Sequence, residues 1–152
     1  MQLDDAATIL SSADFFDVCD PEQRRLLAFA SERRLYSRGD VIYKSGEIPD
    51  GAHILVAGTL SANPDDAVTS HEISEPGALL GAMALVISKP RPVTVTAVTA
   101  AETLFVPRAA FRKLALQSPD LARRAAARIQ REIGSYLEAI EPLRQRMNKD
   151  RI

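Results

Sequence analysis

The chain has 152 residues, of which 46% are hydrophobic and 26% are charged, and a formal net charge of −1, as in ordinary globular domains. No apolar run reaches the ~18 residues of a membrane-spanning helix, and the acidic start lacks the basic segment of a signal peptide, so we expect a cytoplasmic protein and no membrane partner. Cys19 is the only cysteine, which excludes a disulfide framework and a thiolate metal cluster.

The charge is unevenly distributed along the chain. Residues 1–107 contain 8 Lys and Arg and 15 Asp and Glu, whereas residues 108–152 contain 11 and 5. A net charge of −1 argues against a nucleic-acid-binding surface that covers the whole domain. The basic C-terminal part favours helices solvated by arginines, and the alternative is a basic surface for an acidic partner.

The N-terminal part is predicted to be helical. Residues 3–16 have a loosely amphipathic pattern that indicates a short helix. A second helix is predicted to begin after Asp20, since Asp20 can cap it, Pro21 suits its first position and Gln23 can close a capping box. The pattern places Leu26, Leu27 and Ala30 on the apolar face of this second helix.

Residues 33–107 change to short β-rich pieces separated by turn signals. Strands that recur at intervals of about ten residues indicate an antiparallel sandwich or barrel rather than βαβ units. The piece VTVTAV, residues 93–98, alternates strictly, so one face of this strand is predicted to be buried and the other polar.

The pattern becomes helical again after Pro107. A short helix is followed at Ser118 by a second start signal and a long helical pattern. This pattern contains apolar residues at spacings of four and three: Ile129, Ile133, Tyr136, Ile140, Leu143 and Met147. Such a seam favours a homodimer, although a helix packed on its own sheet also shows an apolar stripe. Pro142 predicts a kink or end near residues 138–141, and Gly134 weakens the same helix.

Five glycines in order give the β-rich region a family likeness. They are Gly39 in RGDVIY, Gly46 in KSGE, Gly58 in ILVAGTL, Gly77 in EPG and Gly81 in LLGAMAL, followed by Arg91 in KPRPVTVTA. The set resembles the cyclic-nucleotide-binding domain family, and the likeness extends over residues 14–140. Within that family the chain is most similar to the bacterial catabolite-activator, or Crp/Fnr, branch.

The resemblance implies an α+β fold, a jelly-roll-like β-roll (a double-stranded β-helix) of eight strands with helices at both ends. It implies one domain over residues 1–152, with N-terminal helices in 1–32, the roll in 33–107 and C-terminal helices in 108–152. In the catabolite-activator branch the long helix forms the dimer and leads to a helix-turn-helix domain. Because the sequence given stops where that domain would begin, no direct DNA binding is expected from this chain alone.

The resemblance also assigns a phosphate-binding cassette to residues 77–93. Arg91 stands at the family's phosphate arginine, and its guanidinium fork suits an oxyanion. Gly81 would let the phosphate approach a short helix whose first amides are free, so the ligand would lie over Gly81–Met83. The implied ligand is cAMP, cGMP or another small anion.

The cassette departs from the family pattern at several positions. Ala82 replaces the glutamate that accepts from the ribose, a loss of roughly 1.5–3 kcal/mol. Pro92 replaces a Ser or Thr and has neither a hydroxyl nor an N–H. Val93 replaces a smaller alanine, and Glu132 and Ile133 stand where relatives contact the base. These departures predict a degenerate cassette.

Other candidate residues are interpreted structurally. His53 is predicted to be packed, since only His71 and Cys19 could join it in a metal site and both are distant in sequence. Cys19 is predicted to be a small buried residue. Asp65 and Asp66 are typical of a hairpin tip. No catalytic Ser-His-Asp motif and no phosphate-binding P-loop motif occur, so no enzyme is expected.

These observations favour a non-enzymatic regulatory or sensor module, dimeric through its C-terminal helix, with a degenerate pocket. One alternative is a working cAMP or cGMP receptor that acts through a partner protein. Another is the ligand-sensing fragment of a transcription regulator, whose output domain lies beyond residue 152.

Overall fold

The helices of the protein lie before and after its strands. The computed structural model describes residues 3–65 and 68–131. The first helix, α1, spans Leu3–Ser12; a 3₁₀ turn spans Asp14–Val18, and α2 spans Pro21–Ala30. After the strands come α3, Arg108–Gln117, and a helical stretch at 119–131, here α4. No helix among the described residues is long and apolar enough to cross a membrane.

Among the described residues, eight strands form two antiparallel sheets of four strands each. In chain order they are β1 Glu32–Tyr36, β2 Val41–Tyr43, β3 Gly51–Ala57, β4 Leu60–Pro64, β5 His71–Ile73, β6 Leu79–Leu80, β7 Val93–Ala97 and β8 Ala101–Pro107. The first sheet has the order β1-β8-β3-β6, and the second has the order β2-β7-β4-β5. This is the α+β fold with a β-roll and flanking helices that the resemblance implies.

The two faces of the first sheet pack against different layers. Because side chains alternate along a strand, Ile54 and Leu104 point to one face and Leu55 and Ala101 to the other. The first face packs against the helices and forms the helix-facing core, whose fully buried members include Phe16, Leu27, Ile54, Phe111 and Leu121. The second face packs against the other sheet and forms the inter-sheet core: Tyr43, Leu55, Leu60, Leu80, Val95, Ala97 and Ala101.

The predicted capping box at the start of α2 is confirmed. The Asp20 carboxylate accepts from the backbone N–H of Gln23 at 2.7 Å, and the Gln23 side chain accepts from the N–H of Asp20 at 2.9 Å. The predicted apolar face is correct only at Leu27. Leu26 and Ala30 are exposed, and Ala28 is buried instead. The reason is that α2 covers the core with a narrow stripe around Leu27, so its outer apolar residues remain in solvent.

One other predicted element is divided in the structure. The stretch predicted as one N-terminal helix ends at Ser12 and continues as the 3₁₀ turn. Gly58 has a φ of 92° and turns the chain between β3 and β4. The alternation predicted for residues 93–98 is confirmed within β7, with Val95 and Ala97 buried and Thr94 and Thr96 only partly buried.

The start of the predicted dimer seam lies within the domain's own core. Ile129 is 4% exposed and packs in the helix-facing core with Leu121 and Ala125, each one helical turn apart. Ile129 is therefore covered by its own chain. Gly134 and Pro142 lie outside the described residues. So do the other predicted seam residues, which are Ile133, Tyr136, Ile140, Leu143 and Met147.

Candidate ligand-binding cassette

The cassette begins at a Pro-Gly turn that is fixed to the first sheet. Gly77 has a φ of 93° and donates its N–H to the carbonyl of Leu55 at 2.8 Å, while the N–H of Leu55 donates to Ala78 at 2.9 Å. A Cβ at Gly77 would stand 3.0 Å from the carbonyl oxygen of Ser12. The turn is therefore held between β3 and the end of α1, and it sets the starting point of β6.

Gly81 lies at a second turn of the cassette, between β6 and a short 3₁₀ helix. Its φ of 77° is left-handed, which favours glycine. It precedes a 3₁₀ turn, Ala82–Leu85, here the cassette turn. A Cβ at Gly81 would stand 2.5 Å from the hydroxyl of Tyr43 and 3.3 Å from Nη1 of Arg91. Both the backbone angle and the space around Cα therefore require glycine here.

Arg91 is brought to Gly81 by bonds of its own backbone. Its carbonyl accepts from the N–H of Gly46 at 2.9 Å, which attaches the loop before β7 to the turn after β2. Its side chain is half-buried, and its guanidinium carbon lies 5.3 Å from the ring centroid of Tyr43. This cation–π geometry holds a cationic group beside Gly81 and the first residues of the cassette turn.

Tyr43 forms the inner wall of this arrangement. It is 7% exposed, and its hydroxyl donates toward the carbonyls of Gly51 at 2.8 Å and Leu80 at 3.2 Å. Burial raises the pKa of Tyr43, so the phenol stays protonated at neutral pH, although the charge of Arg91 opposes the shift. The ring is thus the member of the inter-sheet core that contacts Arg91.

Arg108 links the cassette turn to the C-terminal helices. It is the first residue of α3, and its Nη1 donates to the carbonyls of Pro49 at 2.6 Å and Ala84 at 3.3 Å. Because Ala84 belongs to the cassette turn, a movement of that turn changes a contact at the start of α3.

The remaining predicted cassette residues occupy different surroundings. Ala82 is half-buried, packs against the helix-facing core and lines a cavity of about 400 Å³ that Arg128 also lines. Met83 is 42% exposed, and Pro92 is exposed, with its carbonyl accepting from Asp65 at 2.9 Å. Val93 begins β7 and packs at the edge of the inter-sheet core. Gly81 therefore lies beside Arg91, whereas Ala82 packs against the helix-facing core on the other side of the first sheet.

In the part of the chain that the structure describes, His53 and Thr103 are the buried polar residues beside the inter-sheet core. Nδ1 of His53 lies 2.9 Å from the hydroxyl oxygen of Thr103, and the His53 ring contacts Tyr43 edge to face, with centroids 5.1 Å apart. Burial, together with the charge of Arg34, lowers the pKa of His53 to about 3. The prediction of a packed histidine is confirmed, and the imidazole is neutral at physiological pH.

Two further residues predicted from the sequence lie away from the cassette. Cys19 is 3% exposed, as predicted, and burial raises the pKa of its thiol to about 11, so it is protonated at neutral pH. Asp65 lies in a turn at the end of β4, as expected of a hairpin tip, while Asp66 lies outside the described residues, as do Glu132 and Ile133.

Sequence reasoning missed Tyr43 and Arg108. Tyr43 looks like an ordinary strand residue, and its contact with Gly81 depends on the pairing of distant strands. Arg108 looks like one of many surface arginines in a basic helical segment. No local sequence signal identifies either residue, because both contacts depend on where distant segments of the chain meet.

The sequence profile of the cyclic nucleotide-binding domain matches residues 33–118, which is the β-roll with the cassette and α3. The chain belongs to the cyclic nucleotide-binding domain family. A cAMP-dependent protein kinase regulatory subunit from Dictyostelium discoideum is 32% identical over 111 residues, 69% of this chain and 34% of that protein. The chain thus spans about a third of the length of such curated relatives.

Solved structures of the family have the same fold. A cyclic nucleotide-binding-like protein from Brucella abortus is 32% identical, with a TM-score of 0.62 over 72% of this chain and 96% of that one. The catabolite activator protein of Thermus thermophilus is 24% identical, with a TM-score of 0.67 over 86% of this chain and 63% of that one. The second likeness concerns the fold alone.

Proposed function

We propose that the chain is a non-enzymatic regulatory module of the cytoplasm whose degenerate cassette binds a small oxyanion at Arg91 and binds cAMP and cGMP only weakly. The observation that supports this is the placement of the Arg91 guanidinium beside Gly81, at the start of the cassette turn. A guanidinium suits an oxyanion, and the glycine beside it lets the backbone come close to that oxyanion.

The weak binding of cyclic nucleotides follows from the residues around this anchor. Pro92 cannot donate a hydrogen bond to a phosphate, and the methyl of Ala82 packs against the helix-facing core. Each missing hydrogen bond to a charged group costs roughly 1.5–3 kcal/mol, which is about one to two decades in affinity. A sugar and base therefore add little to the binding of the phosphate.

The alternative is a working cyclic-nucleotide receptor that signals through a partner protein. Support for it comes from the Dictyostelium relative, which is a regulatory subunit of a cAMP-dependent kinase. Arg108 would then be the first link from the cassette turn to the helices, since it bonds both parts.

Calorimetric titration of the purified protein with inorganic phosphate, cAMP and cGMP separates the two functions. We expect the three dissociation constants to agree within about tenfold, a difference of 1.4 kcal/mol. Micromolar binding of cAMP or cGMP that is lost in Arg91→Ala would contradict the proposed function and favour the receptor.

We also propose a homodimer that forms through seam residues after Arg131, since Ile129 is covered by its own domain. Ile140→Asp is expected to yield a monomer in sedimentation, because a charge in an apolar seam lacks a partner. Gln145→Asp adds the same charge off the seam and is the matched control. An unchanged mass for Ile140→Asp would refute the seam.

A further inference from the structure

Tyr43 is the side chain closest to the space that Gly81 leaves open. A Cβ at Gly81 would stand 2.5 Å from the Tyr43 hydroxyl and 3.2 Å from its ring carbon Cζ. The space left by the missing side chain at Gly81 is therefore closest to Tyr43, and Arg91 is the next neighbour. The same phenol also lies beside Arg91, whose Nη1 would stand 3.3 Å from that Cβ.

The ring is held in this place from three sides. Its hydroxyl donates to carbonyls of β3 and β6, those of Gly51 and Leu80. The ring and the His53 imidazole are perpendicular, with an interplanar angle of 88° and centroids 5.1 Å apart. Its face carries the guanidinium of Arg91. With Tyr43 itself 7% exposed and with contacts on all these sides, the ring is a fixed wall rather than a side chain that swings aside at little cost.

The wall limits what can be attached to an oxyanion at Arg91. A substituent on that oxyanion extends either outward to solvent or inward between the sheets. The inward direction is closed by Tyr43, which belongs to the same inter-sheet core as Leu80 and Val95. A compact oxyanion needs no inward space, whereas a nucleoside gains affinity only by burying its apolar surface.

We propose that Tyr43 sets the size of the ligand, so that the cassette accepts a compact oxyanion such as inorganic phosphate and excludes the nucleoside part of a cyclic nucleotide. This inference rests on the proposed function and names the specificity-determining residue of the same site. Tyr43 acts by occupying space, and the hydrogen bonds of its hydroxyl keep the ring in position.

The test compares affinities for phosphate and cAMP in folded variants. Tyr43→Ile introduces a β-branched residue that suits a strand and removes the ring, and we expect it to raise the affinity for cAMP relative to phosphate by about tenfold. Tyr43→Phe keeps the ring and is expected to preserve the wild-type ratio within about threefold. Tyr36→Ile removes a tyrosine that contacts His53 from β1, and it serves as the matched control.

A second measurement uses the wild-type fold. In protein labelled with fluorotyrosine, phosphate is expected to shift the fluorine resonance of Tyr43, because its ring carries the guanidinium that binds the anion, and to leave that of Tyr36 in place. Tyr43→Phe assigns the resonance. If phosphate binding depends on Arg91 but leaves the fluorine chemical shift of Tyr43 unchanged, the inference is overturned.

The failure of the inference differs from the failure of the proposed function. If phosphate does not bind, or binds equally well to Arg91→Ala, both are overturned. If phosphate binding requires Arg91 but folded Tyr43→Ile keeps the wild-type ratio, only the role of Tyr43 is overturned.

Discussion

The two faces of the first sheet carry different chemistry. The helix-facing core consists of apolar side chains from the helices and from β3 and β8. The inter-sheet core includes Tyr43, and His53 and Thr103 lie beside it; no buried side-chain polar atom among the described residues lacks a hydrogen-bond partner. One face supplies hydrophobic stability, and the other holds oriented polar groups next to the cassette.

This difference separates stability from ligand selection. Non-directional burial tolerates many apolar replacements of similar volume, whereas a hydrogen-bonded network fixes the position of each member. Substitutions on the helix-facing side are therefore expected to change the free energy of unfolding. Substitutions near Tyr43, Gly81 and Arg91 are expected to change which anion binds.

The largest expected effect is in the helix-facing core. Leu27 is fully buried, and Leu27→Ala is expected to lower the free energy of unfolding by about 2–5 kcal/mol, because it removes buried methyl groups and leaves a cavity. Leu26→Ala makes the same change at a neighbouring residue that is 52% exposed, and it is expected to cost under about 0.5 kcal/mol. Urea denaturation measures both, and equal losses would refute the orientation of α2.

The next effect depends on pH and concerns the other face of the sheet. His53 has a pKa of about 3 in the folded chain against an ordinary value of 6.5, so the unfolded chain binds a proton that the folded chain does not. The free energy of unfolding therefore falls as the pH falls through this window, by about 1.4 kcal/mol per pH unit from this group.

His53→Gln tests this origin of the pH dependence. Glutamine can still bond Thr103 but does not titrate, so its unfolding free energy is expected to fall less steeply between pH 6.5 and pH 4 than that of the wild type. The carboxylates contribute equally to both profiles, which makes the wild type the control. Parallel profiles would show that His53 is not buried in its neutral form.

The smallest expected effect is on the phosphate affinity of the cassette. Pro92→Ser restores a hydroxyl and an N–H next to Arg91, and it is expected to tighten phosphate binding by about tenfold, or 1.4 kcal/mol. Ala82→Glu is expected to gain less, because Ala82 packs toward the helix-facing core. Calorimetry measures both variants, and a larger gain from Ala82→Glu would show that position 82 faces the ligand.

Much of the fold could be predicted because its signals are local. The five glycines that carry the family likeness are the glycines with positive φ among the described residues: Gly39, Gly46, Gly58, Gly77 and Gly81. Each marks a turn that a side chain would strain, so the turns can be read from the sequence in order. The capping box of α2 is local in the same way.

The rest depends on packing between distant segments. Which residues of α2 face inward depends on where α1 and the sheet lie, so the apolar pattern misplaced Leu26 and Ala30. The contact between Gly81 and Tyr43 requires β2 and β6 to meet across the roll, and periodicity does not reveal that. The cassette frame could be predicted from residue types, whereas its inner wall could not.

The placement of Arg91 beside Gly81 is the central claim, and one titration tests it most directly. Inorganic phosphate is added to the wild type, to Arg91→Ala and to Lys89→Ala, which removes an exposed cation from the same loop. We expect Arg91→Ala to weaken phosphate binding by about 10–100-fold and Lys89→Ala by less than about threefold. Equal losses in the two variants would contradict a phosphate site built on Arg91.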